Sequence, residues 1–392
     1  MTLLLALVLM LQEDPSALLE RMRSDDVRER DAATRRLETL GLPAVEQLLG
    51  SAGNDLEVQG RLRRIIGVLK KRAEITRVCG PTKRVTASFK LRPLSEVLQH
   101  LRTALDEPLR TEKVDESKLV DLELRQATLW ETLDALSRAA DLKYEYGRDA
   151  VTLLPGARSE MPVRTVEQFR VSVGEMKRLE HRSTGLSDQT GVVVLLVDYQ
   201  RNLTPVERRF SEAIQIDAVS DGAGRDLAVD TVDWASGWSS SGRSHGIMHT
   251  MMIRPGEGAF TIEGRARFRF GIKTAEISIP LADGKRSVKG EGVEFEVREV
   301  LQLPKKLSLK LHYEGDDDDL AARLVPDSVQ VIDTDGKSHA SSSRGSSLSA
   351  GSVSSDYAFN SAPVKPDRLV FRWIREFHVV EIPFRFDGLK LP

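Results

Sequence analysis

The sequence predicts a multidomain α+β protein: a helical N-terminal segment, a small module of mixed strands and helices, then two tandem all-β sandwiches. Three observations predict it. The chain has 392 residues, and a prior of roughly 150 residues per domain suggests two to four units. Apolar residues follow a helical period early in the chain, and that period vanishes after Pro155. Finally, RFRFGIKTAEISIPLADG, from Arg267, returns without a gap as VFRWIREFHVVEIPFRFDG, from Val370, a shift of 103 residues.

The N-terminus reads LLLALVLML from Leu3 to Leu11, followed by QEDPS. Nine apolar residues are too few for a bilayer that needs about 20, and they match the apolar region of a signal peptide over residues 1–12. Met1-Thr2 supplies no basic residue, and a buried first helix is the competing expectation. No cysteine follows the run, which excludes lipid anchoring at that site.

Residues 13–75 carry the helical period. Leu18, Leu19 and Met22 share one face, Ala33, Leu37 and Leu40 another, and Gly41 with Pro43 marks a stop and restart. Val58, Leu62, Ile65, Ile66 and Leu69 follow amphipathic spacing. The stretch DDVRERDAATRRLETLGLPAVEQLL resembles a HEAT-like repeat, with Ala32-Ala33 allowing close helix approach. Solenoids need about three repeats and this segment offers at most two, so it is expected to pack on another domain or a partner. The mixed-sign run from Glu20 to Asp31 is expected to be a solvated helix face.

Residues 82–155 read β-α-β-β-α-β with an extra strand, a small plait. Val85, Ala87 and Phe89 alternate; Pro93 opens a helix carrying Leu94, Val97, Leu98 and Leu101. Extended runs follow near Leu109 and at Leu119–Arg125. Thr128 caps a helix with Leu129, Leu133 and Leu136, and LKYEYG with AVTLLP closes as a hairpin that exposes Tyr144 and Tyr146. VTASFKLRPLSEVLQHL and then VDLELRQATLWETLDALSRAADLKYEYGRDAVTLLPG resemble the secretin and TonB short N-terminal domain, over about residues 83–155. That resemblance implies a protein-binding module of the bacterial envelope with no chemistry of its own. No outer-membrane barrel or secretin pore sequence follows, so the family's transport function is not implied.

From residue 163 two similar halves appear, expected as immunoglobulin-like sandwiches over 163–285 and 288–392. Phe169-Arg170-Val171 is echoed by Phe295-Glu296-Val297, Tyr199 by Tyr313, and Ile214 by Val329. Each half then has a Ser/Gly-rich tract, expected as a mobile loop, and ends on the opening echo. Phe268 and Phe270, with their counterparts Phe371 and Trp373, are expected to face a core. Pro280 and Pro383 suit a strand end or edge, where no ladder N–H is needed.

Composition narrows the function. Lys+Arg 57 against Asp+Glu 59 offers no basic field for nucleic acid or anionic lipid, and 5% aromatic residues argue against base-stacking platforms. One cysteine, Cys79 in the turn-like VCGP, excludes an in-chain disulfide and a thiolate metal cluster. No Walker-type or dinucleotide loop appears, and no cofactor is expected.

Three motifs offer chemistry. Gly242-Arg-Ser244-His-Gly246 matches G-x-S-x-G, but a nucleophile elbow needs a strand before the serine and a helix after it, whereas β-like IMHTMMIRP follows. His245 and His249, four apart, would share a helix face as metal ligands, with His339 in the matching tract of the second half. Asp316–Asp319 would suit calcium, though EF-hand spacing is absent and a solvated interstrand loop is expected. No residue is assigned a catalytic, cofactor or metal role. The expectation is an exported, non-enzymatic protein-interaction or scaffolding protein of the bacterial cell envelope, periplasmic or secreted. The alternatives are a serine hydrolase using Ser244 and a metal- or calcium-dependent adhesive module.

Overall fold

A computed structural model describes residues 15–392, apart from 54, 148, 158–160, 184–185, 201, 204, 206–212, 228, 232–245, 255–257, 282–285, 304–305, 318, 326–327, 350 and 361–364. The apolar start at 1–12, Ser244 and His245 therefore lie outside the described residues. The chain is mixed α+β with several antiparallel sheets, and divides into two compact units, 1–82 and 83–392.

The first unit holds helices α1 (Pro15–Met22), α2 (Val27–Leu40), α3 (Leu42–Ser51) and α4 (Leu56–Cys79). Leu18, Met22, Ala33, Leu37, Val45, Val58, Leu62 and Ile65 form its core, as the spacing predicts. The mixed-sign run is more than a solvated face. Asp26 caps α2 by accepting from Arg28 N at 2.8 Å, Arg30 donates to Ser24 O at 2.8 Å, and Asp31 pairs with Arg61 of α4 at 3.4 Å. Cys79 is not in a turn: α4 continues to it and stops only at Gly80, whose φ of 83° a side chain would resist.

The α+β module contains β1 (Val85–Pro93), α5 (Leu94–Leu105), β2 (Leu109–Thr111), β3 (Leu119–Ala127), α6 (Leu129–Ala140), β4 (Leu142–Tyr146) and β5 (Val151–Pro155). Thr128 and Glu131 cap α6 reciprocally, with Thr128 N donating to Glu131 Oε2 at 2.8 Å. The strands do not make one plait. β1 and β3 form a two-stranded antiparallel sheet, and β2-β5-β4 a separate three-stranded one, around a core shared with both helices. Tyr146 is buried against Trp130 (ring centroids 4.6 Å), and Tyr144 Oη donates to Asp134 at 2.6 Å. The tyrosines are thus packed, because α6 covers the hairpin that sequence alternation alone would expose.

The β region has strands β6 (Val163–Val166), β7 (Phe169–Ser183), β8 (Leu186–Tyr199), β9 (Ile214–Asp221), β10 (Val229–Thr231), β11 (Gly246–Ile253) and β12 (Phe260–Pro280). The second half repeats this with β13 (Ser287–Gly290), β14 (Val293–Leu303), β15 (Lys306–Glu314), β16 (Gln330–Asp333), β17 (Ser338–Ala340), β18 (Ser343–Ser349), β19 (Ser352–Phe359) and β20 (Pro366–Leu389). Sheet order β10-β11-β8-β7-β6 matches β18-β19-β15-β14-β13, so the duplication read from the sequence is present in the topology. Both sheets pack against one long central sheet, β17-β16-β20-β12-β9.

β12 and β20 explain the echo. They pair antiparallel almost end to end: Phe268 faces Val380, while Phe371, 103 residues on from Phe268, faces Ile277, 103 residues before Val380. The ladder is therefore symmetric about a bulge near Ile272, and the first half of each strand meets the second half of the other. Phe268 packs on Phe169 (4.4 Å) and Tyr199 (5.8 Å), whereas Trp373 packs on Phe295 (4.9 Å) and Tyr313 (5.4 Å). Ile277, Ile279 and Leu281 join the second core with Trp373. Val380, Ile382, Phe384 and Phe386 pair with the Phe260–Phe268 end of β12, where Phe384 fills the space a Cβ on Gly264 would need, at 2.8 Å.

The expected division at 285/288 is therefore not the spatial one. The second sandwich is the continuous run from about Thr274 to Ile374, paired side by side where it begins and ends, and the first is completed by the C-terminal half of β20. An antiparallel ladder satisfies the backbone groups on the facing edge of each strand, so two long strands joined as one ribbon leave fewer open edges than two separate endings. Pro383 sits where β20 is the edge of that end of the central sheet. The serine-rich tract of the second half is not a loop either. Ser343–Ser349 and Ser352–Phe359 form a hairpin with Tyr357 and Phe359 buried, because alternate apolar positions outweigh the weak strand preference of serine.

Candidate functional site

The two-stranded sheet of the α+β module carries the most distinctive local geometry. Between Phe89 and Arg92, β1 has one residue more than β3, a bulge opposite Asp121. Leu91 adopts φ 46°, a conformation uncommon for residues with a Cβ, and its N–H donates to Asp121 Oδ1 at 2.7 Å. The bulge turns Leu91 outward to 67% exposure, and Leu119, near the same end of the sheet, is 55% exposed. Lys90 and Arg92 flank Leu91, with Arg92 reaching Glu96 at 3.5 Å. Among the described residues, β1 and β3 pair only with each other, so each leaves one ladder edge open. Open N–H and C=O groups beside protruding leucines make a template for strand addition, with backbone bonds for affinity and the leucines as anchors.

The motifs singled out for chemistry fall elsewhere. Strand β11 begins two residues after Ser244, so the segment that follows the serine is extended where an elbow requires a helix. His249 is buried within β11, while its expected partner His245 lies outside the described residues. His339 lies in the second half, buried, with Nε2 at 2.9 Å from Asp333 Oδ2. Asp333 Oδ1 also accepts from Asp335 N (3.0 Å) and Lys337 N (2.9 Å) across the turn at Gly336. His339 first, then these N–H groups, hold the Asp333 carboxyl below its ordinary range. The pair is a turn clamp.

Within the acidic run Asp316 is exposed as expected, but Asp317 and Asp319 are not simply solvated. Asp317 accepts from Asp319 N at 2.8 Å and pairs with Arg323, while the shielded Asp319 pairs with Arg269. Arg269 and Arg323 stack over the Phe377 ring, 4.0 and 5.1 Å from its centroid, and Arg323 donates to Ile374 O and Arg375 O at 2.8 and 3.0 Å. Both carboxylates are thus committed to arginines that brace the middle of the β12–β20 ribbon. Cys79 has its thiol pushed up to about 12 by burial and then by Glu74, so it is a poor nucleophile.

Two clusters carry no signal in the sequence. His312 Nδ1 lies 2.9 Å from Ser354 Oγ on the outer face of the second sandwich, and burial, then Arg298, lowers its pKa. Arg170 pairs with Asp198 at 3.4 Å on neighbouring strands of the first. Neither pair is close along the chain, and only strand register brings them together.

No protein-family model and no curated protein matches the chain. Among solved structures it is similar to a conserved domain protein from Bacillus anthracis, at 11% identity over 58% of this chain and 89% of that one, with a TM-score of 0.18. It is also similar to the basal body proteins InvG, PrgH and PrgK of the Salmonella SPI-1 type III secretion injectisome, at 10% identity over 77% of this chain and 92% of that one, with a TM-score of 0.17. Overlap this slight carries no argument about fold or activity. No helix among the described residues is long and apolar enough to cross a membrane.

Proposed function

We propose that the chain is an exported, non-enzymatic protein-interaction or scaffolding protein of the bacterial cell envelope, periplasmic or secreted, whose two β halves are immunoglobulin-like. One observation carries the reading. The module resembling the secretin and TonB short N-terminal domain holds out two leucines beside open strand edges, at the cost of a left-handed Leu91. Backbone strain of this kind typically costs on the order of 1–3 kcal/mol, and it is retained where it re-aims a side chain for use. The apolar start supports export, and the duplicated β halves supply a scaffold for the module.

The test is capture from envelope extract of the native host, with a photo-crosslinking residue at Lys90 of the full chain. A discrete adduct that disappears in Leu91→Glu/Leu119→Glu supports the proposal. An adduct indifferent to both substitutions removes the site, and mature protein with Met1 intact in the cytoplasm removes export.

A further inference from the structure

Strand β7 sends Phe169, Val171 and Val173 into the first sandwich core, so Arg170 and Ser172 lie on its outer face, with Gln168 in the turn that leads into it. That face is itself covered. The Arg170 guanidinium lies 5.9 Å from the centroid of Trp130 on α6 and 5.3 Å from that of Tyr144 on β4. Beside it, Arg84, just before β1, donates from Nη2 to both oxygens of Glu167, at 2.7 and 2.6 Å. The α+β module therefore docks on the first sandwich through charged and aromatic groups. Gln168 is fully buried there with neither amide atom hydrogen-bonded, and Trp130 Nε1 and Arg170 Nε likewise lack partners. A contact built this way opens at lower cost than an apolar one, because water can satisfy what closure leaves unpaired.

The charged and titratable groups around this joint come from every element that meets there. Glu167 and Arg170 lie on the β6–β7 hairpin, Asp198 on β8 opposite Arg170, and Arg84 just before β1. Tyr144 on β4 bonds Asp134 on α6, and on the far side of Asp198 its ladder neighbour on β11 is Gly246. Burial pushes the Asp198 carboxyl up to about 6, against the pull of Arg170.

We infer that the joint between the α+β module and the first sandwich is an acid-tightened latch, in which protonation of Asp198 favours the closed form over the open one. Opening the joint admits water to Asp198 and returns its acidity towards the ordinary 3.8, so the closed form binds the proton more tightly. Below about 3.8 both forms hold the proton and closure has its full advantage. As pH rises through about 6 the closed form must accommodate an ionised carboxylate that is only 15% exposed, and the advantage falls. In the closed form the two rings hold the Arg170 guanidinium in place.

Hydrogen exchange on the full chain, corrected for the intrinsic pH dependence of exchange, tests this. Amides of Leu129–Ala140 and Leu142–Tyr146 should be protected roughly thirtyfold more at pH 4.5 than at pH 7.5, with no such change in Leu56–Cys79. Asp198→Asn, neutral and isosteric, should show strong protection at both pH values. Equal protection of the wild-type chain at the two pH values, or an undiminished pH response in Asp198→Asn, overturns the inference. Asp198→Ser, also uncharged, repeats the comparison should the amide variant not fold.

Discussion

Ile382→Ala separates the interlocked arrangement from a simple tandem one. Ile382 lies near the C-terminus, inside what the sequence assigns to the second β half, yet it is fully buried and faces Ala266 in the first sandwich. The change removes three carbons, worth about 2.4 kcal/mol of transfer at about 0.8 kcal/mol each. A ladder fixed on both sides does not collapse into the gap, so a cavity term of roughly 1–2 kcal/mol adds to it. A loss of about 3–4 kcal/mol reduces the protection of globally exchanging amides by a few hundredfold, at tenfold per about 1.4 kcal/mol. Exchange measured by mass spectrometry should show that loss in Phe169–Val173 and Val193–Tyr199, leaving Phe295–Val297 and Leu307–Tyr313 unchanged. Ile279→Ala, fully buried with the second core, should do the reverse. Loss of protection in the second sandwich for Ile382→Ala, with the first untouched, would refute the ribbon.

Asp319→Ala leaves Arg269 charged and shielded without its partner, and should cost roughly 3 kcal/mol of stability in chemical denaturation. A loss under about 0.5 kcal/mol would instead mark an ordinary surface position. Asp333 has a folded pKa below its ordinary value, so its contribution is present above about pH 4 and lost as pH falls through the lower folded value. Asp333→Asn should therefore flatten the acid limb of the melting-temperature profile, and an unchanged limb would count against the clamp. Limited proteolysis should spare Ser343–Ser349, which pairs along its length with β19, and early cleavage there would show that the hairpin is not formed.

Local signals are legible in the chain itself. Thr128 with Glu131, the apolar faces of α2 and α4, and the burial of Phe268, Phe270, Phe371 and Trp373 follow from spacing and side-chain chemistry alone. The candidate interaction site is legible only as a resemblance over residues 83–155, because a bulge depends on register across two strands 30 residues apart, which places Asp121 under Leu91. The acidic run misleads for a related reason. Asp317 and Asp319 look solvated until the fold brings Arg269 and Arg323 against them.

The echo itself shows where sequence and tertiary structure part. Repetition at 103 residues already implies two copies of one β module and equivalent roles for Phe268 and Phe371. It is silent on which core the second half of each strand enters, because the same alternation of apolar residues satisfies either sandwich. That choice is made in three dimensions, where β12 and β20 lie antiparallel and each supplies the ladder the other lacks. Hydrophobic pattern specifies which face of a strand is buried; only pairing specifies against what.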